Sequence, residues 1–248
     1  MFLPATRYCA RRVAPVPFKR EQRLAFGSAA ELYDAVRPSY PSEAVRWLVG
    51  EAPRRILELG AGTGIFTRVL EASGHEVVAI EPDAEMRARL LARSPGVETY
   101  HGEAEAIPLP DASVDAVVCA QAHWWFDPER AYGEIARVIR PGGVFGAIWN
   151  TPDSRNALAA DLNAIGADIP EPVLGARFSS LEAMSFPHAV TYTHETLLLL
   201  VKSRAYFIAA APETQQEIEQ AVARLAAPAP DPFDLPYLAI ARRAVRLD

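Results

Sequence analysis

Short apolar runs alternate with amphipathic segments through the first two thirds of the chain. Five runs have the length of buried strands, and they cover residues 56–59, 75–81, 97–101, 114–119 and 143–149. Helical spacing of apolar residues follows three of them, at 65–72, 83–93 and 128–139. This alternation predicts an α/β fold with a parallel sheet, helices on both faces and right-handed crossovers. Ligands of such sheets bind beyond the carboxyl ends of the strands.

Helical patterns flank this core on both sides. On the amino-terminal side, Gly27 or Ser28 is placed to cap a helix that runs to Val36. A turn with Pro38 and Pro41 follows, and then a helix at 44–50. On the carboxyl-terminal side the pattern predicts further helices and strands. The helices are at 153–167, 195–211 and 213–226, and the strands at 189–193 and 236–245.

The chain length of 248 residues suits one domain. We expect that domain to span residues 25–248, with a core at about 50–150, a cap at about 151–230 and a closing strand at about 236–246. Residues 1–24 contain six Arg and Lys residues, one acid and three prolines, so they are predicted to be a basic, flexible tail.

Composition narrows the functional class. Half the residues are hydrophobic and 23% are charged, which is typical of globular proteins. A net charge of −6 disfavours a nucleic-acid-coating surface. Cys9 and Cys119 are far apart, so a disulfide framework or a zinc site is not expected and a reducing cytoplasm fits. No apolar run approaches the ~18–20 residues of a membrane span.

A cluster of glycines follows the first predicted strand, at positions 60, 62 and 64. Glycines between a strand and a helix permit positive φ and let a ligand touch the backbone. The dinucleotide fingerprint needs its third glycine at position 65, where this chain has Ile65. A phosphate-binding P-loop would end in Gly-Lys-Ser/Thr, which is missing. The spacing therefore predicts a nucleotide-type site and disfavours these two kinds.

Glu58 lies just before the glycines. A carboxylate would repel a phosphate, but it would attract the ammonium and sulfonium of S-adenosylmethionine. The run Glu58-Leu-Gly-Ala-Gly-Thr-Gly64 resembles the glycine-rich first motif of class I methyltransferases. A generic glycine turn in another Rossmann-like protein is the alternative.

Three further segments match that family in the same order. Glu81 ends the second strand 21 residues after Gly60, where a carboxylate accepts hydrogen bonds from ribose hydroxyls. Residues 101–110 resemble the segment that surrounds adenine, with Glu103 and Ala104 in contact with the base and Glu105 tying the next loop. Residues 137–143 resemble the approach to the fifth strand. The resemblance covers roughly residues 26–150. It implies the class I methyltransferase fold, a Rossmann-like seven-stranded, mostly parallel sheet with a helical amino-terminal segment and a helical insertion near the carboxyl terminus.

The resemblance also implies which residues bind the cofactor, S-adenosyl-L-methionine, and its product, S-adenosyl-L-homocysteine. Arg37 in particular could clamp the carboxylate of the methionine part. The full set is Tyr33, Arg37, Glu58, Gly60, Ala61, Gly62, Thr63, Gly64, Glu81, Pro82, Met86, Glu103, Ala104, Glu105, Ala120 and Gln121. No metal site is implied.

Segments 33–41, 121–127 and 148–150 resemble the small-molecule branch that includes the trans-aconitate methyltransferase-like, or type 11, proteins. That branch places a histidine where this chain has Trp124, and His123 stands one residue earlier. The catalytic candidates are His123 and Trp124. His123 is interpreted either as a general base or as a hydrogen-bonding residue. Four aromatic residues are expected to line an acceptor pocket or to fill the core: Trp124, Trp125, Phe126 and Trp149.

The combined reading is a methyltransferase that moves a methyl group by in-line displacement to a small-molecule carboxylate, hydroxyl or amine. The acceptor would enter between the amino-terminal helices and residues 150–230. Neither nucleic acid nor membrane is an expected partner, and the protein is expected to be a monomer or a homodimer. Two alternatives remain open at this point, a non-catalytic sensor or scaffold that binds the cofactor and an NAD-dependent oxidoreductase.

Overall fold

The computed structural model describes residues 26–165 and 169–248. The predicted basic tail at 1–24 lies outside these ranges. For Ser28, one of the two predicted cap residues, the structure describes the backbone only. None of the helices in the described ranges is both long and apolar enough to span a membrane.

The described chain forms one seven-stranded sheet. The strands are β1 (Arg55–Leu59), β2 (Glu76–Ile80), β3 (Glu98–Tyr100), β4 (Val114–Ala120), β5 (Ile139–Pro152), β6 (Glu182–Tyr192) and β7 (Phe233–Val245).

Nine α-helices and two short 3₁₀ turns, Gly27–Ala29 and His123–Trp125, are found in the same ranges. The helices are α1 (Ala30–Val36), α2 (Ser42–Val49), α3 (Ile65–Ala72), α4 (Ala84–Arg93), α5 (Pro128–Val138), α6 (Ala157–Asn163), α7 (His194–Lys202), α8 (Ala205–Ile208) and α9 (Pro212–Ala226).

The strand order is β3-β2-β1-β4-β5-β7-β6. The first five strands are parallel, and only β7 runs against both of its neighbours. The predicted mostly parallel seven-stranded sheet is thus confirmed. The chain reverses its direction of winding between β1 and β4, and the carboxyl ends of these adjacent strands leave a crevice for a ligand.

Two apolar layers cover the sheet. On one face α2 packs Leu48 over Gly146 of β5, and α3 packs Phe66 and Leu70 beside β2. On the other face α5 packs Tyr132 and Ile135 against β4 and β5. The strands have apolar side chains on both faces because helices bury both, as the continuous apolar runs predicted.

The structure corrects the prediction beyond residue 150. The helix expected at 153–167 begins only at Ala157, after Asn156 accepts the Ala159 N–H as an N-cap, and ends at Asn163. The strand expected at 189–193 is the end of the 11-residue β6. Its Pro187 concealed it, since proline is unusual within strands, but β6 is a sheet edge, where proline is tolerated. Part of the segment assigned to a cap thus belongs to the sheet.

The single helix expected at 195–211 is two helices, α7 and α8. The break lies at Ser203, whose hydroxyl donates to the Leu200 carbonyl at 2.7 Å. The Arg37 guanidinium donates to the Ser203 hydroxyl and carbonyl at 2.9 and 3.0 Å. This long-range contact, between residues 166 positions apart, could not be read from local pattern. At the amino-terminal side, Gly27 lies in a 3₁₀ turn rather than capping α1 directly.

Candidate cofactor and acceptor site

A crevice opens at the carboxyl ends of β1, β2 and β4, beside the glycine loop (residues 60–64). Its volume is about 1040 Å³, part of it open to solvent. The glycine loop forms one wall, residues 102–105 after β3 form another, and α1 covers it. The crevice therefore lies where the topology predicts a ligand.

The glycine loop folds tightly because its glycines have positive φ. Gly60 has φ of 65°, and a Cβ there would lie 2.8 Å from the Ala122 Cβ. Gly62 has φ of 58°, and a Cβ there would meet nothing within 4 Å. Gly60 is therefore required for packing against the loop after β4, whereas Gly62 leaves backbone open to the crevice.

Glu81 closes the far side of the loop. Its carboxylate accepts the Gly62 N–H at 2.7 Å and the Asp83 N–H at 2.9 Å. Burial raises the pKa of Glu81 to about 7, although these two N–H groups oppose the shift. The carboxylate lines the crevice, so its remaining lone pairs are available to the hydroxyls of a ribose.

Glu58 lies at the base of the crevice and is 1% exposed. Its carboxylate accepts the Thr67 hydroxyl at 2.6 Å. Burial raises the pKa of Glu58 to about 8, and the charge of Glu81 adds to the shift. A cation placed in the crevice would reverse this shift, since it favours the ionised carboxylate.

The segment after β3 presents backbone and side chains to the crevice at Gly102, Glu103 and Ala104. Glu105 accepts the Asp127 N–H at 2.7 Å, so it ties this segment to the loop after β4, as expected. Residues 102–105 and Gly62 thus line the same crevice.

Two observations test whether these residues suit S-adenosylmethionine. Thr63 lines the crevice and is 1% exposed, and its buried hydroxyl has no hydrogen-bond partner among the described residues. Gly62 leaves room for a ligand against its Cα. With the acids of Glu58 and Glu81, this lining fits a ligand with an ammonium, a sulfonium and a ribose. The described residues hold no cluster of three or more His, Cys, Asp or Glu side chains that could bind a metal.

The structure brings fifteen of the sixteen predicted cofactor residues to this crevice; the exception is Gly64. Gly64 precedes α3, and a Cβ there would lie 3.0 Å from the Leu90 Cγ, so this glycine serves helix packing. The lining also contains residues that the sequence did not single out as ligands, namely Phe26, Pro38, Tyr40, Ile65, Phe66, Ile80, Gly102, Ala122, Trp125 and Phe126. Most are apolar residues whose pattern marks them only as core, so no sequence signal identified them.

A second cavity adjoins the crevice, with a volume of about 1490 Å³ including its open part. Five residues line both spaces and form a shared wall: Phe26, Tyr33, Arg37, Gln121 and Trp125. The rest of the second cavity is built by Trp124, β5, the 150–171 segment, the start of α8 and β7. Trp124, Trp125 and Trp149 line it as the sequence suggested, whereas Phe126 lines the crevice instead.

The two catalytic candidates differ in position. Trp124 lines the second cavity, but His123 lines neither space and is 4% exposed. Its Nε2 lies 2.7 Å from the Pro170 carbonyl, which only accepts hydrogen bonds, so Nε2 carries the proton. Burial lowers the pKa of His123, and its ring contacts Trp124 and Trp149. The histidine thus holds the aromatic wall in place in this structure, and its role as a base stays a prediction.

Residues 57–147 match the family model described as a methyltransferase domain. An uncharacterised methyltransferase of Mycobacterium tuberculosis is 40% identical over 236 residues, covering 91% of this chain and 97% of the relative. A structure from Anaeromyxobacter dehalogenans, assigned to the type II methyltransferases, has a TM-score of 0.64 and 29% identity. The match covers 85% of this chain and 97% of the chain in that structure.

A more distant structure shares the fold, with a TM-score of 0.54 at 13% identity over 94% of this chain and 61% of the other. It is a phosphoethanolamine N-methyltransferase of Haemonchus contortus in complex with phosphomonomethylethanolamine and S-adenosylhomocysteine. Family, fold and crevice chemistry agree, and they leave the oxidoreductase reading without support. The chain belongs to the class I S-adenosylmethionine-dependent methyltransferases.

Proposed function

We propose that this enzyme methylates a small molecule held in the second cavity. The observation that carries the proposal is the shared wall: a cavity large enough for a small acceptor opens directly beside the cofactor crevice. Segments 33–41 and 121–127, which resemble the small-molecule branch, contribute residues to both spaces, and segment 148–150 contributes to the second cavity; all three support the same reading.

Held by Glu58, Glu81 and the 102–105 segment, S-adenosylmethionine would supply an activated methyl carbon. The acceptor's lone pair would form the new bond to this carbon as the carbon–sulfur bond breaks, and the electron pair would stay on sulfur, giving S-adenosylhomocysteine. A carboxylate acceptor loses no proton, whereas a hydroxyl or amine passes one to solvent or to a nearby base. Such a transfer depends on donor and acceptor being close and collinear, which is worth roughly 7–11 kcal/mol of barrier.

The protein's part is to bind, orient and exclude water. Glu58, Glu81 and the 102–105 segment would hold the ammonium, ribose and adenine in the crevice. Tyr33 and Trp125 of the shared wall would flank the path of the methyl group, where aromatic faces also favour a cation by about 0.5–2 kcal/mol. Trp124 and Trp149 would pack against the body of the acceptor.

A methyl-transfer screen tests the proposal. The protein is incubated with isotopically labelled S-adenosylmethionine and panels of small carboxylic acids, phenols and amines, and products are identified by mass spectrometry. We expect one class to gain the label in amounts equal to the S-adenosylhomocysteine formed. Labelling of RNA or protein instead, or cofactor binding with no methylated small molecule, would contradict the proposal.

Once an acceptor is found, two variants test whether the crevice binds the cofactor and the second cavity binds the acceptor. Trp124→Ala is expected to raise the acceptor KM roughly tenfold and to leave the Kd for S-adenosylhomocysteine unchanged, because Trp124 lines only the second cavity. Glu81→Gln should do the reverse, because Glu81 lines only the crevice. Equal effects of both variants on both ligands would show that the cavities do not divide the substrates.

A further inference from the structure

The charge of the second cavity does not balance among the described residues. Of the described residues that line it, three are arginines, Arg37, Arg204 and Arg242, and Glu171 is the only acid. Arg242 and Glu171 form a bidentate ion pair, in which Nε donates to Oε2 at 2.7 Å and Nη2 donates to Oε1 at 2.6 Å. The pair neutralises itself, so two positive charges remain.

Arg37 has a place in the cofactor site as well as in the second cavity. It lies on the shared wall, its Cζ is 4.6 Å from the centre of the Tyr33 ring, and it donates to Ser203. Its charge is therefore within reach of the carboxylate of the methionine part, as the sequence suggested. Arg204 has no such role, because it lines only the second cavity.

No acid among the described residues pairs with the guanidinium of Arg204. Its Nε is fully buried and makes no hydrogen bond within the described chain, and the guanidinium interacts with the Tyr206 hydroxyl. The hydroxyls of Tyr206, Tyr237 and Tyr192 lie around it, but phenols are neutral at pH 7. Tyr206 also lines the cavity. Because a phenol can only accept from a guanidinium, the proton of its hydroxyl stays available to a ligand. A buried charge with unused donors is costly and calls for an explanation.

The rest of the lining indicates the polarity of the remainder of the ligand. Trp124, Trp125 and Trp149 form an aromatic surface in the same cavity, joined by Ile169 and Ile240. Such a lining buries an apolar or aromatic body. Because Arg204 does not border the crevice, an anion bound to it lies away from the shared wall where the methyl group would arrive.

We infer that the acceptor carries a carboxylate that is not itself methylated, and that Arg204 and Tyr206 bind this group as a specificity anchor. The inference rests on the proposed function, since it places the acceptor in the second cavity. A planar guanidinium suits a carboxylate, and the Tyr206 hydroxyl supplies a further donor. The atom that receives the methyl group then lies at the other end of an apolar body, against the shared wall.

Binding measurements test the anchor without turnover. With saturating S-adenosylhomocysteine, calorimetry measures the Kd for 3-phenylpropanoate, benzoate and hexanoate, and for the amide of each. Quenching of tryptophan fluorescence supplies a second readout, because three of the chain's four tryptophans line this cavity. We expect each bound carboxylate to bind at least roughly tenfold tighter than its amide.

The preference should depend on Arg204. Arg204→Met should abolish it, Arg204→Lys should keep part of it, and Tyr206→Phe should reduce it. The matched control is the double variant Arg242→Met/Glu171→Gln, which removes an arginine of the same cavity together with its counter-charge and should keep the preference. Equal binding of acid and amide by the wild type, survival of the preference in Arg204→Met, or no carboxylate binding at millimolar concentration would each overturn the inference. Tighter binding of phenyl phosphate than of all the carboxylates would also overturn it.

A ligand-independent measurement distinguishes a binding residue from a structural one. If Arg204 is an uncompensated charge kept for a ligand, Arg204→Met should raise the Tm of the unliganded protein by roughly 2–4 °C. A fall in Tm would mean that Arg204 supports the fold and would overturn the anchor. Binding of S-adenosylhomocysteine, measured first, separates the two proposals: if it binds and the acid preference is missing, only the anchor fails.

Discussion

Gly62 and Gly74 both have a positive backbone φ angle but lie in different parts of the fold. Both have positive φ, 58° and 85°, and neither would bring a Cβ within 4 Å of another atom. Gly62 borders the crevice, while Gly74 lies in the turn between α3 and β2, at the opposite end of the sheet. A comparison of the two therefore separates backbone strain from ligand contact.

We predict that Gly62→Ala and Gly74→Ala each lower the free energy of unfolding by about 1–2 kcal/mol, because both force alanine into the left-handed region. Only Gly62→Ala should weaken S-adenosylhomocysteine binding, by roughly tenfold or more, because its methyl group enters the crevice. Urea unfolding and calorimetry measure the two effects. An equal loss of affinity in Gly74→Ala would show that the loss comes from strain.

The raised pKa of Glu58 predicts that cofactor binding is linked to proton release. Its pKa of about 8 means that this buried carboxyl is mostly protonated at pH 7 in the unliganded protein. A bound ammonium or sulfonium lowers that pKa, so binding should release protons at pH 7. Calorimetry in phosphate and in Tris should therefore give different apparent binding enthalpies.

The same measurement on Glu58→Gln, which retains a partner for Thr67, should show less proton release and an affinity lower by roughly tenfold. Some release should remain, since the pKa of Glu81 is also raised by burial. Identical enthalpies in both buffers for the wild type would contradict a cation beside Glu58.

At the scale of elements, α1 covers the crevice and is held at Asp34. The Asp34 side chain is 3% exposed and lies 2.7 Å from Arg68 of α3, 3.4 Å from Arg89 and 3.5 Å from Arg93, both of α4. Arg68 also donates to the Thr63 carbonyl at 2.9 Å, so the same ion-pair network reaches the glycine loop. The turn before α1 also holds the helix in place, because it packs closely against the start of α4: a Cβ at Gly27 would lie 2.7 Å from the Asp83 carboxylate.

We predict that Asp34→Asn loosens α1, because it leaves three arginines without their shared acid. Amide hydrogen exchange at residues 30–37 should accelerate, and S-adenosylhomocysteine affinity should fall severalfold. Arg93→Gln is the matched control: Arg93 is 54% exposed and the most distant partner, so its loss should cost less than about 0.5 kcal/mol. Unchanged exchange in Asp34→Asn would show that apolar contacts alone hold the helix.

At the scale of the whole molecule, buried histidines oppose stability in acid. His75 is 6% exposed, and neither of its ring nitrogens has a partner in the described chain. Burial and the charge of Arg54 lower its pKa. Burial also lowers the pKa of His123 and of His188. Because the unfolded chain binds these protons near pH 6.5 and the native state does not, stability is lost as the pH falls below about 6.5.

His75→Phe isolates one such group. The acids with raised pKa, Glu58 and Glu81, act in the opposite direction, but they are present in both proteins and cancel in the difference. We expect the free energy of unfolding of the variant to gain about 1 kcal/mol relative to wild type as the pH falls from 7.5 to 5.5. Urea unfolding at both values measures this, and a difference independent of pH would show that His75 takes up its proton equally in the native and unfolded states.

The sequence determined the core fold and most of the crevice by itself. Strand and helix periods between residues 55 and 150 were strong enough to predict the parallel strands and their crossovers. The glycine spacing with Glu58 and Glu81 predicted where the crevice lies, because backbone conformation and charge at those positions are set by residue type. Fifteen of the sixteen predicted cofactor residues line the crevice for this reason.

Only the tertiary structure decided what lies beside the cofactor. The second cavity joins residues from α1, β5, α8 and β7, whose separations along the chain carry no local signal. The Arg37–Ser203 contact and the position of Arg204, with no acid beside it among the described residues, are of this kind. A residue's neighbours across the fold depend on how whole elements pack, so these features appear only when the chain is folded.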